Sequence, residues 1–565
     1  MERLLGSTSY DITQVKPILP PQKTMSDQNT MDPALAVELE ALSRQKAMNE
    51  ATERGDSAVQ QFYRGAVVFV TGGSGFLGKQ LIEKLFRACD IDKVYLLLRP
   101  KKGMCIQQRV EEMLQDPVYS MVRKKKPNFA ERIVPIEGDV AEIRLGLSDQ
   151  DWATITTQVD VIYHMAATTR FDEALRVATM INVRGTREAV LLGHDCTKLK
   201  SFVYVSTTYA NATDQFVEKE VLEQFYEAPV PPELMISMAE SFDEARFDAI
   251  ADNLIKGYPN TYTFAKAVAE EVVRSRAGDM PISIVRPAIV ISSYREPMPG
   301  WADTSCAYGA SGMILGPATG LIHVTYAGNN ARYSLVPVDY VNNAIIAAGW
   351  HTGSKRGVPG SGKEVQIYSV SSARNLFHWS PVSSKIQEIG HFLPTPLAVW
   401  YMFIISTGNK LLFLTLTWLM HYIPGYVLDG GCVLMGKPPM FIKLYNRVYR
   451  ASMALSYFTT RSWVFRDDNT DRLYQSLSAD DKLIFNFDTC DINIMEYVTL
   501  WCVGLRRYLM KDGIRHTEYA RRKQFWLHKL HFVVTALYVY IGYKCLSVAL
   551  STGMYVLGLD KVYFM

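Results

Sequence analysis

The chain has eight cysteines but no Cys-x-x-Cys pair and no cysteine or histidine spacing suited to a metal. The thiols stand far apart, at 89, 105, 196, 306, 432, 490, 502 and 545. Such scatter argues against a disulfide framework or a zinc module and fits free thiols in a reducing compartment, and no metal site is expected. Net charge is also scarce: 60 lysines and arginines against 57 acidic residues leave +3 over 565 residues. No nucleic-acid partner is expected on that balance, and the basic run Arg123–Lys126 is read as a solvated face. The N-terminus lacks an apolar core with a basic start and a small-residue cleavage site, so no secretory signal is read there and the folded part is expected to face the cytosol.

Length implies about two or three domains. Residues 1 to 60 are polar, with Pro17, Pro20 and Pro21 early and a helix-prone patch from Ala34 to Ala47; they read as a mostly disordered leader. The order that follows is more informative. A β-branched and aromatic run, Gly65 to Val70, leads into VTGGSGFLGKQLIEKLFR over 70 to 87. Strand, glycine turn and helix is the order that gathers helix N-terminal amides around a phosphate. Gly72, Gly75 and Gly78 have distinct expected roles: a tight turn, an approach of backbone to a pyrophosphate, and close packing of helix on strand. Phe76 and Leu77 head the helix and join the expected cofactor-binding set. The next strand, Val94 to Leu98, ends about twenty residues after Gly78, where an NAD-binding chain would offer a carboxylate. That acid is missing. Arg99 stands in its place with Lys101 and Lys102 behind it, which suits the 2′-phosphate of NADPH.

Further strand runs follow at Ile133 to Asp139, Val159 to His164, Phe202 to Ser206 and Ile282 to Pro287, with helical text between them. This alternation predicts an α/β fold, a Rossmann-type doubly wound parallel sheet over 61 to 375 that binds ligands at the carboxyl ends of its strands. Polar residues gather there: Asp139, then Ala166-Ala167-Thr168, then Ser206-Thr207-Thr208, then Arg286.

From 376 to 525 the composition suggests a helical C-terminal domain. Within it Leu393 to Leu428 is apolar but broken at Gly408-Asn409-Lys410 and at Pro424-Gly425, so each half is short for a bilayer and an interfacial or re-entrant helical hairpin is expected. The tail, 526 to 565, is apolar from Phe532 to Leu559 apart from Lys544. It is long enough to span, with two interfacial helices breaking at Lys544 as the alternative. Arg515, Arg521, Arg522, Lys523 and Lys529 precede it, which would keep the upstream part cytosolic and put Asp560 to Met565 across the membrane.

Tyr262 and Lys266 lie one helical turn apart in YPNTYTFAK, so their side chains share a face. A free phenol titrates near 10, too high for acid-base work at neutral pH, and a neighbouring ammonium is expected to lower it. Lysine can also hold the nicotinamide ribose in place.

Together these features resemble the extended short-chain dehydrogenase/reductase superfamily, in which a Ser or Thr, a Tyr and a Lys carry hydride-transfer chemistry. On that resemblance Thr207 is favoured as the hydroxyl donor to the substrate carbonyl, with Ser206 left open beside it. Asp139 would bond adenine, Ala166 and Ala167 would line the cofactor, and Asn182 would support Lys266 through water. Six blocks in order, TGGSGFLGKQLIEKL, VYLLLRPKKG, HMAATTRFDEALRVATMINVRGT, FVYVSTTYAN, YPNTYTFAKAVAEEVV and ISIVRPAIV, resemble the fatty acyl-CoA reductases, as does LIFNFDTCDINIMEYV in the C-terminal part. The separation of 55 positions from Thr207 to Tyr262 fits an insertion of that family. Met165 and the long leader depart from its pattern, which bears on pocket shape and regulation. The resemblance implies NADPH-dependent reduction of a long-chain acyl-CoA to a primary alcohol through a held aldehyde, at a membrane, with the endoplasmic reticulum preferred because Phe564-Met565 is no peroxisomal signal. A membrane-bound sterol dehydrogenase of the same superfamily and a silent lipid-binding scaffold are the alternatives.

Overall fold

The computed structural model describes residues 31–101, 103–355 and 364–556. Its centre is one seven-stranded sheet: β1 (Val67–Thr71), β2 (Lys93–Leu98), β3 (Ile133–Glu137), β4 (Val161–His164), β5 (Ser201–Val205), β6 (Ile282–Pro287) and β7 (Gln366–Val370), in the order β7-β6-β5-β4-β1-β2-β3. Every pairing is parallel. Parallel strands are covered on both faces, which is why β4 and β5 read as unbroken apolar runs and are buried throughout. Six strands coincide with the runs expected from sequence; β7, a short QIYSV, extends the sheet beyond β6.

The chain leaves β1 toward β2 and β3 on one side and returns to β4 on the other. That reversal opens a crevice at the carboxyl ends of β1 and β4, where open α/β sheets take their ligands. Helices α1 (Phe76–Ala88), α2 (Gly185–Asp195), α3 (Thr261–Arg276) and α4 (Val338–Ser354) connect or cover the strands. Among these, α1 is pinned by a buried charge cluster: Lys84 pairs with Glu296 at 2.6 Å and donates to the Ile484 carbonyl, while Arg87 bridges Glu83 and Glu296 at 2.7 Å each. The two cations hold the Glu296 carboxyl down at about 2 against its burial, so that carboxyl stays ionised.

The leader departs from expectation. Residues 1–30 lie outside the described part, but Pro33–Ser43, Lys46–Arg54 and Ala58–Tyr63 are helices packed on the protein. Ala34, Met48, Ala51, Val59 and Tyr63 are buried. Tyr63 donates to the Ile346 carbonyl at 2.7 Å, and Glu38 pairs with Arg507. A polar composition concealed sparse apolar residues at helical spacing, enough to dock each short helix.

The C-terminal part also corrects the reading of 393 to 428 as a helical hairpin. Residues 394–409 are mainly non-helical and carry a short strand, Ile405–Thr407, paired in parallel with Val324–Tyr326. Helix α5 then runs from Lys410 to Leu434 straight through Pro424-Gly425 and is followed by α6, Phe441–Thr459. Proline is tolerated because it falls at the start of a helical segment after a π turn, Trp418–Tyr422. Val464–Phe465 of the C-terminal part pairs in parallel with Glu220–Val221. Finally α7, Thr517–Val556, is a single helix that passes Lys544 without a break, so two shallow helices are not what forms; the residues beyond 556 lie outside the described part.

Candidate active site

The glycine turn is built as its spacing demands. Gly72 has φ +75°, and a Cβ there would sit 2.7 Å from the Ala166 nitrogen, so the turn after β1 abuts the segment after β4 across the crevice. A Cβ on Gly78 would lie 2.4 Å from the Gly73 Cα, which explains the close packing of α1 on the turn. Gly75 is the extended N-cap of α1, and a Cβ there would meet only the Gly72 carbonyl, at 3.3 Å. The space over the α1 N-terminus is therefore open to a group approaching the first-turn amides of Phe76 and Leu77. Asn342 on α4 donates to the Leu77 carbonyl at 2.9 Å and holds that turn from below. This cradle fits the pyrophosphate of a dinucleotide.

At the ends of β2 and β3, Arg99 Nη1 lies 3.6 Å from Asp139 Oδ2, with Arg99 67% exposed. Arg109 donates to the Arg99 carbonyl and brings a second guanidinium that sequence reading overlooked; burial and the Arg99 charge lower its pKa. Lys101 is exposed, and Lys102 lies outside the described residues.

After β4, Thr71 Oγ1 accepts from the Met165 and Ala166 amides at 3.2 Å each, and Thr168 is clamped by Asn182: its amide donates to Asn182 Oδ1 at 2.9 Å and its carbonyl accepts from Nδ2 at 3.1 Å. Ala166 and Ala167 are partly buried within this turn. Asn182 thus has both side-chain polar atoms on the Thr168 main chain. Its position in a π turn, Thr179–Arg184, sets that aim.

Ser206 and Thr207 follow β5 and diverge. Ser206 donates to Glu270 Oε1 at 2.6 Å, whereas Thr207 Oγ1 accepts from the Tyr209 amide at 3.2 Å and lies 3.3 Å from the Pro287 carbonyl. Tyr262 and Lys266 are on α3, whose N-cap Asn260 accepts from the Thr263 amide at 2.9 Å. Burial pushes the Tyr262 phenol up to about 12, and its hydrogen bond with Thr207 opposes the rise. The sequence-based expectation was a fall driven by Lys266. Lys266 instead spends its ammonium elsewhere: it is 2% exposed, donates to the Val205 carbonyl at 2.7 Å and the Tyr204 hydroxyl at 3.3 Å, and rides over the Tyr204 ring. Burial lowers Lys266 to about 7, with Glu270 pulling the other way.

Glu270, one turn beyond Lys266 on α3, takes two donors from Arg286 of β6 at 2.9 and 2.6 Å. Arg286 also donates to the Leu222 and Gln224 carbonyls. Sequence reading placed Arg286 among the polar strand ends but missed Glu270; its i+4 offset from Lys266 was the available signal. His164, stacked on Tyr204 and held at about 3 by burial and Lys266, stays neutral. An aromatic wall faces Tyr262: Phe171 stacks on it at 6.2 Å, and Phe458 of α6 lies 5.4 Å from Phe171.

Two family profiles, both described as male sterility protein, match residues 70–345 and 420–512. The chain is 34% identical over 487 residues to the fatty acyl-CoA reductase wat of Drosophila melanogaster, covering 86% of this chain and 92% of that protein. It is 34% identical to fatty acyl-CoA reductase 1 of Homo sapiens, covering 82% and 88%. Among solved structures, the terminal R domain from the myxalamid PKS-NRPS pathway matches with a TM-score of 0.50 and 22% identity over 75% of this chain and 90% of that one. The reductase domain of a non-ribosomal peptide synthetase from Mycobacterium tuberculosis matches with a TM-score of 0.50 and 18% identity over 85% and 99%. These two likenesses concern the fold.

Proposed function

Because the chain belongs to the fatty acyl-CoA reductase family, making it a nicotinamide-dependent reductase of fatty acyl groups, we propose that it converts long-chain acyl-CoA to a primary alcohol with two equivalents of NADPH and an enzyme-held aldehyde between the steps. What carries this reading is Tyr262 beside Thr207, with Lys266 one helical turn on and bonded to the Val205 carbonyl, at the carboxyl edge of a sheet whose first turn is an open glycine cradle.

NADPH, when bound, supplies the hydride for both reductions. Gly72, Gly75, Phe76, Leu77 and Gly78 would hold its pyrophosphate, Arg99 its 2′-phosphate, Asp139 its adenine, and Ala166, Ala167 and Asn182 would shape its seat. Thr207 and Tyr262 hydrogen-bond the thioester oxygen, so charge that builds there meets two donors in a water-poor site; loss of the CoA thiolate then yields the aldehyde. In the second reduction Tyr262 donates its proton to the aldehyde oxygen. A phenol held near 12 keeps that proton at neutral pH until it is needed. The rings of Phe171 and Phe458 give the acyl chain an apolar wall, each buried methylene contributing about 0.8 kcal/mol to retention of the aldehyde.

We place the enzyme on the cytosolic face of the endoplasmic reticulum, anchored by α7, which carries an apolar window with none of its residues buried. Purified full chain should consume two NADPH per alcohol formed. A ratio of one with an alcohol substrate, and inertness toward acyl-CoA, would overturn the proposal in favour of a dehydrogenase.

A further inference from the structure

Helix α5 is inside out for a helix that faces water. Phe413, Thr417, His421, Gly425 and Asp429, each four residues from the last, are its buried stripe, so the face turned inward carries a threonine, a histidine, a glycine and an aspartate. The inward contacts are specific: Phe413 stacks on Tyr326, His421 stacks on Tyr445 of α6, Gly425 lies against the Tyr445 ring, and Asp429 accepts from the Met440, Phe441 and Ile442 amides to cap α6. The outward face carries Leu412, Trp418, Leu419, Ile423, Val427 and Leu434, all exposed, Leu434 by 91%. Between Lys410 and Asp429 there is no Asp, Glu, Lys or Arg. An ordinary surface helix shows the opposite arrangement, and an apolar face of this size marks a contact.

The bilayer is the occupant that the surroundings specify. α5 does not cross it, because its first turn follows a strand paired to Val324–Tyr326 and Asp429, a little before its end, caps α6, so its start, one flank and the region of Asp429 stay on the folded protein. The tail helix α7 passes directly beside it: the Tyr538 hydroxyl donates to the Leu419 carbonyl at 2.9 Å. Around that crossing α7 is exposed and apolar, with Phe532, Val533, Leu537 and Val539 outward. α5 therefore lies alongside the apolar part of α7. From this junction α6 leads inward. Leu444, Val448, Ala451 and Leu455, partly buried at spacings of four, three and four, form a stripe that ends at Phe458 beside Phe171 and Tyr262. Fourteen residues of helix span about 21 Å, comparable to an extended long acyl chain.

We infer that α5 lies in the plane of the cytosolic leaflet and that the acyl chain moves between the bilayer and Tyr262 along the Leu444–Phe458 stripe of α6. This rests on the acyl-CoA reductase reading and on a membrane anchor at α7, and the test separates all three. Full chain is reconstituted in phosphatidylcholine vesicles with or without mid-chain bromine, and the Trp418 emission is obtained as the difference between wild type and Trp418→Phe. Quenching of more than half of that emission by the brominated lipid is expected; equal emission in both vesicles overturns the inference. Leu419→Glu with Val427→Glu in the full chain should lower turnover of a long-chain acyl-CoA in vesicles at least tenfold more than that of a short, water-soluble one. Equal losses on both overturn the route along α6. Release of wild type by alkaline carbonate would sink the spanning tail, and wild-type inertness toward both acyl-CoAs would sink the reaction; neither would by itself produce an unquenched Trp418.

Discussion

Replacing Glu270 by glutamine tests whether Lys266 works as a cation. The two residues are one helical turn apart, about 6 Å between their Cβ atoms. At an effective dielectric of about 20 their attraction is roughly 3 kcal/mol, or about two pH units of support for the charged lysine. Arg286 shares the carboxylate through two hydrogen bonds, so one to two units is the working figure. Lys266 sits at about 7 in the intact protein and should fall below that once the attraction is lost. Lysine loses its proton as pH rises, so the alkaline limb of the rate profile moves down, and turnover at pH 7 drops about five- to fiftyfold. The same change leaves the Arg286 guanidinium, 1% exposed, without its counterion, at a cost of about 3–5 kcal/mol of stability. Glu270→Gln combined with Arg286→Gln should recover much of that stability and keep the displaced limb. An unmoved alkaline limb in both folded variants would refute a charge role for Lys266. In wild type, Lys266 binds its proton less readily folded than unfolded, so its contribution makes stability rise with pH between about 7 and the unfolded lysine value near 10.4; calorimetry across that window would detect it.

Tyr262→Phe should abolish alcohol formation while cofactor binding, followed by nicotinamide fluorescence, persists; substantial turnover would exclude the phenol as proton donor. Arg99→Ala removes an exposed charge beside Asp139 and should raise the KM for NADPH about tenfold, the effect of about 1.4 kcal/mol, with NADH use unchanged; equal losses with both would make the arginine a support of the fold. Gly72→Ala forces a side chain at φ +75° into the Ala166 backbone, so cofactor affinity should fall more than tenfold, and unaltered affinity would show that the turn does not seat the pyrophosphate.

Six of the seven strands and the turn were legible because their signals are local: buried parallel strands are apolar runs, and Gly72, Gly75 and Gly78 must be small for reasons visible within a few residues. The α5 region misled because Gly408-Asn409-Lys410 and Pro424-Gly425 look like equivalent breaks. The first does start the helix, with Asn409 as its cap, whereas the second falls after a π turn and interrupts nothing. Over 33 to 63 a helix-prone patch, Ala34 to Ala47, was legible, but the docking was not, since each helix buries only a few apolar residues against distant parts of the chain such as Ile346 and Arg507.

The trio shows where periodicity alone runs out. Tyr262 and Lys266 share a helix face, which suggested a direct electrostatic effect of one on the other, yet the phenol rises to about 12 and the lysine falls to about 7. Both shifts come from burial first, a consequence of Tyr204, His164, Phe171 and Phe458 closing around them from four separate parts of the chain. Ser206 and Thr207, equivalent by position at a strand end, are separated by the same tertiary setting. Glu270 claims the Ser206 hydroxyl at 2.6 Å while Thr207 bonds with Tyr262. A carboxylate one turn beyond Lys266 therefore both sustains the lysine charge and removes the competing hydroxyl. This makes Glu270, rather than the spacing of Tyr262 and Lys266, the residue on which the arrangement of donors depends.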